Sequence, residues 1–103
     1  MTWVKDEMVT SQSRSIEVVE LRPGDPRLSN AWQVMAELRP HVHAHAMEAT
    51  YAEAHSFGYR ITVLLQEGHC RAVAGWRIGV NLHLGRNLYV DDLVTATEAR
   101  SAG

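Results

Sequence analysis

Cysteine is almost missing from this chain of 103 residues, and its scarcity decides a first point. With Cys70 alone there is no intrachain disulfide, a usage that fits a reducing cytosol. An excess of charge of one sign is missing too: Lys and Arg number 10 and Asp and Glu 12, leaving a net charge of −2. That balance gives no bulk electrostatic footprint for nucleic acid or an anionic membrane, so neither is expected as a partner. No stretch approaches the roughly 20 apolar residues of a membrane span. Residues 1–15 hold no apolar core of signal-peptide length. The cytoplasm is the expected location. The chain also lacks internal repeats and low-complexity segments.

What is present reads as one domain, or part of one. Hydrophobic residues at 46% and charged residues at 21% are ordinary for a soluble globular chain, which can bury a core with a thin margin of stability. Residues 1–15 are expected as a loosely held tail and residues 16–103 as the domain. Ile16 to Leu21 is rich in β-branched residues and ends at the breaker cluster Arg22-Pro23-Gly24-Asp25-Pro26, so it reads as a strand and a turn. Ser29 is then the expected N-cap of a helix whose core residues are Trp32, Met35, Ala36 and Leu38, ended by Pro40. A second helix is expected from about His43 to His55, with Met47, Thr50, Tyr51 and Ala54 at helical spacing and Gly58 behind it.

Tyr59 to Gln66 and Cys70 to Ile78, joined by Glu67-Gly68-His69, read as an antiparallel hairpin, and Arg86 to Thr95 as a fourth strand. The fold class is therefore α+β, in the order β-α-α-β-β-β, with a mostly antiparallel sheet. Both helices fall in one connection, which predicts that they share one face of that sheet. Strict alternation places Leu88, Val90 and Val94 on one face of the last strand and Tyr89 and Leu93 on the other. A strand apolar on both faces expects cover on both sides. The other face and one edge of this strand are expected to lack it. Trp76 is expected to pack under a helix, and Cys70 to be a small strand residue rather than a nucleophile.

The residues that carry chemistry are concentrated at the end of the chain. Asp91 and Asp92 interrupt an apolar strand, where an unpaired carboxylate is costly. In a regular strand adjacent side chains point to opposite faces, so a single site for both requires a β-bulge. The functional reading is preferred over one in which one Asp caps a loop and the other meets solvent. Arg100-Ser101-Ala102-Gly103 has the Arg-x-x-Gly pattern of a loop that opens an anion-binding helix. His41 and His45 stand four apart, an acceptable zinc spacing on a helix, yet no third ligand lies nearby. An exposed helix start is the preferred reading, and no metal is expected.

The order β-α-α-β-β-β, then Leu88-Tyr89-Val90-Asp91-Asp92-Leu93-Val94-Thr95, then Glu98-Ala99-Arg100-Ser101-Ala102-Gly103, resembles the N-terminal part of the GNAT family of N-acetyltransferases. The resemblance spans Ile16 to Gly103, and its specific part is the last strand and loop. It implies the acyl-CoA N-acyltransferase fold, acetyl-CoA as co-substrate, and acetyl transfer to a small-molecule or peptide amine. Main-chain groups near Leu93, Val94 and Thr95 would hydrogen-bond the pantetheine arm. Arg100, Ser101, Ala102 and Gly103 would begin the nest around the pyrophosphate. Asp91 or Asp92 would meet the acceptor amine as ligand or base, and Arg39, His41 or His45 would touch the substrate.

The sequence stops where the pyrophosphate loop starts, so the chain by itself is expected to be inactive. The alternative is a non-enzymatic, truncated relative acting as a dimeric or partner-completed interaction module. In that case a homodimer is expected through the exposed fourth strand or the helices.

Overall fold

The structure, a computed structural model, describes residues 15–40 and 43–97. Six elements follow one another: β1 Ile16–Leu21, α1 Leu28–Leu38, α2 Ala44–Ser56, β2 Arg60–Gln66, β3 His69–Asn81 and β4 Gly85–Thr95. The strands form one open antiparallel sheet in the order β1-β2-β3-β4. This is an α+β architecture with the element order read from the sequence. No described helix is long and apolar enough to cross a membrane. The tail at 1–14, His41 and residues 98–103, with Arg100, Ser101, Ala102 and Gly103, lie outside the described residues.

Turn chemistry sets the breaks. Glu67 (φ 52°) and Gly68 (φ 81°) are both left-handed, as a two-residue hairpin turn requires, so β3 starts at His69. At the start of α1 the N-cap is Arg27, not Ser29. The Asp25 carboxylate accepts the Arg27 amide at 2.9 Å and its guanidinium at 2.9–3.0 Å, which starts the helix earlier. Ser29 Oγ instead donates to the Pro26 carbonyl at 3.1 Å. The Arg27 hydrogen bonds hold the Asp25 carboxyl down to about 2.

The core lies between the two helices and one face of the sheet. α1 contributes Leu28, Ala31, Trp32, Val34 and Met35, and α2 contributes Met47 and Tyr51. Leu21, Ile61, Val63, Val73 and Val94 rise to meet them from the sheet. Leu38 is not in this core: it ends α1 and is 54% exposed. Trp76 is not under a helix either. Alternation puts it on the face opposite Gly75, where its Nε1 donates to Thr62 Oγ1 at 2.8 Å.

That opposite face is open. Val18, Ile78, Val80, Leu88, Val90 and Leu93 are all exposed. β3 and β4 also outrun β2, whose last pair is Arg60 with Trp76. Residues 77–81 and 85–89 therefore project as a two-stranded arm with Leu82 and Leu84 exposed at its tip.

α2 is held by side-chain ties rather than by a broad apolar stripe. Glu48 accepts the Gly24 amide at 3.0 Å and the Trp32 indole at 2.9 Å, joining α2 to the turn before α1 and to α1 itself. The buried Tyr51 hydroxyl donates to the Leu21 carbonyl and accepts the Ile61 amide at 3.1 Å. Its ring meets Trp32 edge-on, with centroids 5.9 Å apart. Tyr51→Phe keeps the packing and orphans two buried main-chain groups. It is expected to cost about 2 kcal/mol in urea-induced unfolding with the m-value unchanged.

Candidate functional site

The site begins with a register shift. Between β3 and β4, Gly75 pairs with Asp92 while Trp76 pairs with Val90, which leaves Asp91 as one extra residue. This bulge brings both carboxylates to the helix side, because the two bulge residues lean the same way. It also corrects the alternation expected for β4. Val94, Asp92 and Tyr89 share the helix side, and Leu88, Val90 and Leu93 share the open one.

Each carboxylate has its own arginine. Asp92 Oδ1 lies 2.7 Å from Arg39 Nη2, at the C-cap of α1, and Asp92 Oδ2 accepts the Tyr59 hydroxyl at 2.8 Å. Asp91 takes two bonds from Arg77, at 2.9 and 3.3 Å, and Arg77 lies 4.5 Å above the Tyr89 ring. The Asp92 side chain is only 16% exposed, whereas both arginines are about half exposed.

Tyr59 fits here because position 75 has no side chain. A Cβ on Gly75 would stand 1.7 Å from the Tyr59 hydroxyl and 2.6 Å from its ring carbon Cζ. Burial, and then the hydrogen bond to Asp92, push the Tyr59 phenol far above its ordinary range, so it remains a donor at any physiological pH.

Between α1, α2 and this end of the sheet lies a cleft of about 380 Å³. Trp32, Met35 and Arg39 form one wall, and Met47, Thr50, Tyr51 and Ala54 the other. Tyr59, Ile61 and Asp92 form the floor. The cleft is apolar over most of its length and ends at the Arg39–Asp92–Tyr59 group.

Main chain adds a further feature. The Ala96 amide donates to the Arg71 carbonyl at 2.8 Å, so alternation turns Val94 toward β3 and Leu93 and Thr95 away from it. Leu93 and Thr95 thus present N–H and C=O groups to the β4 edge, which no described strand covers. The Val94 side chain itself is buried in the core.

Of the site residues expected from the sequence, Asp92 and Arg39 meet directly, and Asp91 stands beside them with a different partner. His45 lies on exposed surface, its ring stacked on His43 with centroids 6.2 Å apart. Among the described residues no cluster of three or more His, Cys, Asp or Glu side chains could hold a metal. Cys70 is buried, and desolvation raises its thiol pKa. Tyr59, Gly75 and Arg77 were missed by sequence reasoning. Gly75 was the available signal, since a glycine inside an apolar strand often marks a bulge or a close approach.

Comparison of the chain with family models, with curated proteins and with solved structures gave no match. What the fold defines is an α+β protein with an open antiparallel sheet and two helices on one of its faces.

Gly75→Ala is expected to expel the Tyr59 ring and destabilise the fold by about 2 kcal/mol. Ultraviolet titration should then find the Tyr59 phenol ionising nearer its ordinary value. In the parent chain the raised phenol makes the unfolded state lose its proton first, so stability is full below about pH 10 and falls above it. Tyr59→Phe should flatten that fall in unfolding measured between pH 9 and 11.5.

Proposed function

We propose that this chain provides the amine-acceptor side of an acetyl-CoA-dependent N-acetyltransferase of GNAT type, with Asp92 receiving the amine. The β4 bulge carries this reading. It turns Asp91 and Asp92 to the helix side, where Asp92 lines the cleft, while the adjoining Leu93 and Thr95 turn main chain to the open edge. Acetyl-CoA would supply an activated acyl group. Extended main-chain donors and acceptors at Leu93 and Thr95 are the kind of group that suits its pantetheine arm.

The chain's own residues divide the remaining work. An ammonium must lose a proton before it can act as a nucleophile, and Asp92, directly or through one water, is placed to take it. Tyr59 fixes the carboxylate by donating to Oδ2, and Oδ1 keeps acceptor capacity beside Arg39. Asp91 is engaged by a bidentate and stacked Arg77, which suits it to shaping the local field rather than to accepting the proton. Thiol release from acetyl-CoA with a panel of primary amines tests the reading, which differs from the sequence expectation in requiring the chain itself to be active. Asp92→Asn should lower kcat/KM at least about 100-fold and Asp91→Asn less than about tenfold. Absence of amine-dependent thiol release, or an Asp92→Asn chain as active as the parent, overturns it.

One observation favours a second reading, in which the chain is an interaction module that pairs with a second copy. The open face of the sheet exposes apolar side chains on β1, β3 and β4, and its Glu20 and Arg60 pair with each other at 3.5 Å. Arg86, opposite Val80, adds a charge toward the end of the arm, and a face with so little charge repels its own copy only weakly. At strand spacings of about 4.8 Å it offers on the order of 600–800 Å² per copy, close to the roughly 800 Å² of a stable interface. The two-stranded arm adds a motive, since an isolated ribbon is marginally stable in water. Light scattering should give a dimer for the parent chain and a monomer for Val90→Glu/Leu93→Glu. A parent chain that stays monomeric at millimolar concentration counts against this reading.

A further inference from the structure

The cleft that leads to Asp92 has a composition that selects among amines, an inference that rests on Asp92 being the amine-receiving group. We infer that its ligand is a monoamine with an apolar or aromatic tail, not a polyamine and not a carboxylate.

The argument starts from what lines the cleft. Met35, Ala46, Met47, Ala54 and Ile61 offer no polar side-chain group that could meet a cation, the Trp32 and Tyr51 polar atoms are committed to Glu48, Leu21 and Ile61, and the Thr50 hydroxyl is uncharged. Among the described residues lining the cleft, the only charged ones are Arg39 and Asp92, both at one end. A polyamine laid along these walls would bury its second and third ammonium groups without a counter-charge, which is strongly unfavourable. A single ammonium followed by an apolar tail meets the opposite condition at each end. A volume of about 380 Å³ admits an arylalkyl group of modest size, and methionine-lined walls adapt to its shape.

The charged end favours a cation over an anion for geometric reasons. Asp92 is held by the Tyr59 hydroxyl and only 16% exposed, so it stays in place when Arg39 leaves. Arg39 is 49% exposed at the C-cap of α1 and reaches Asp92 through Nη2. It can swing into solvent when an ammonium arrives. A carboxylate ligand would have to approach Arg39 against the fixed negative charge of Asp92. Arg39 thus competes with the ligand for one carboxylate, and its removal should strengthen binding of amines.

The test uses the full chain without acetyl-CoA, so that binding is separated from transfer. Phenethylamine, 3-phenylpropionate and spermidine are titrated by calorimetry, and by NMR with the Trp32 indole N–H as reporter. Phenethylamine should bind at least tenfold more tightly than either of the others. Asp92→Asn should weaken it at least tenfold, and Arg39→Met should tighten it by about tenfold, the worth of one partly exposed charge pair. Thr50→Trp, an exposed substitution that fills the cleft without touching the core, should abolish binding while the chain remains folded. Tighter binding of 3-phenylpropionate or spermidine, or no saturable change at Trp32 with phenethylamine, overturns the inference. Phenethylamine that binds as described but is never acetylated leaves the inference standing and removes the transferase reading. Spermidine acetylated in an Asp92-dependent manner does the reverse.

Discussion

One extra residue in β4 is the constraint on which the site depends. With Asp91 inserted opposite the Gly75–Trp76 step, the strand's alternation reverses, and two neighbouring carboxylates come to lie on the same side. In a regular strand one of them would have faced the open side of the sheet among Val90, Leu93 and Trp76. The bulge has a second effect on the same strand. It lets the apolar residues beyond it, Leu88 and Val90, join Leu93 on the open face, so the uncovered surface and the cleft have a common origin.

The cleft persists because its walls are tied through residues that line it. Tyr51 fixes α2 to the end of the β1–β2 ladder, and Glu48 fixes the same helix to α1 and to the turn at Gly24. These ties take the place of dense contact along the helix, and α2 buries only Met47 and Tyr51. Space remains between the tie points, and Tyr59 occupies the one place in it that the missing side chain of Gly75 leaves free. Walls fixed by hydrogen bonds but not packed together along their length leave the space a preformed pocket requires.

The element order was legible because glycine and proline punctuate this chain clearly. Pro23-Gly24, Pro40, Gly58 and Glu67-Gly68 each stand where one element gives way to another. Competition between local and tertiary effects was not legible. Ser29 has the chemistry of an N-cap, but Asp25 reaches the Arg27 amide first and starts the helix upstream. Leu38 keeps helical spacing with the core yet lies where the helix ends. Trp76 has the bulk of a core residue, and its position in the alternation sends it to the other face. For the site, the carboxylate pair stood out in the sequence, whereas Arg39 came only with the family resemblance, alongside His41 and His45. Tyr59 did not stand out, since its role follows from a cross-strand partner 33 residues away.

Two adjacent carboxylates beside two arginines have the look of a balanced and inert pair of ion pairs, but the two are unequal. Arg77 is held by a forked contact to Asp91 and by the face of Tyr89, which itself lies over Gly79, where a Cβ would come within 2.5 Å of the ring. To leave Asp91 it must give up a bidentate bond and a stacked ring together. Arg39 comes from the last turn of a helix and has no aromatic ring beneath it among the described contacts. Its carboxylate, by contrast, is the better anchored of the two, because Tyr59 holds it from beneath and stays protonated. The less firmly held cation therefore faces the more firmly held anion, at the end of an apolar cleft. On the proposed reading, that asymmetry favours Asp92 over Asp91 as the position where an incoming ammonium takes the place of a protein charge without the fold having to move.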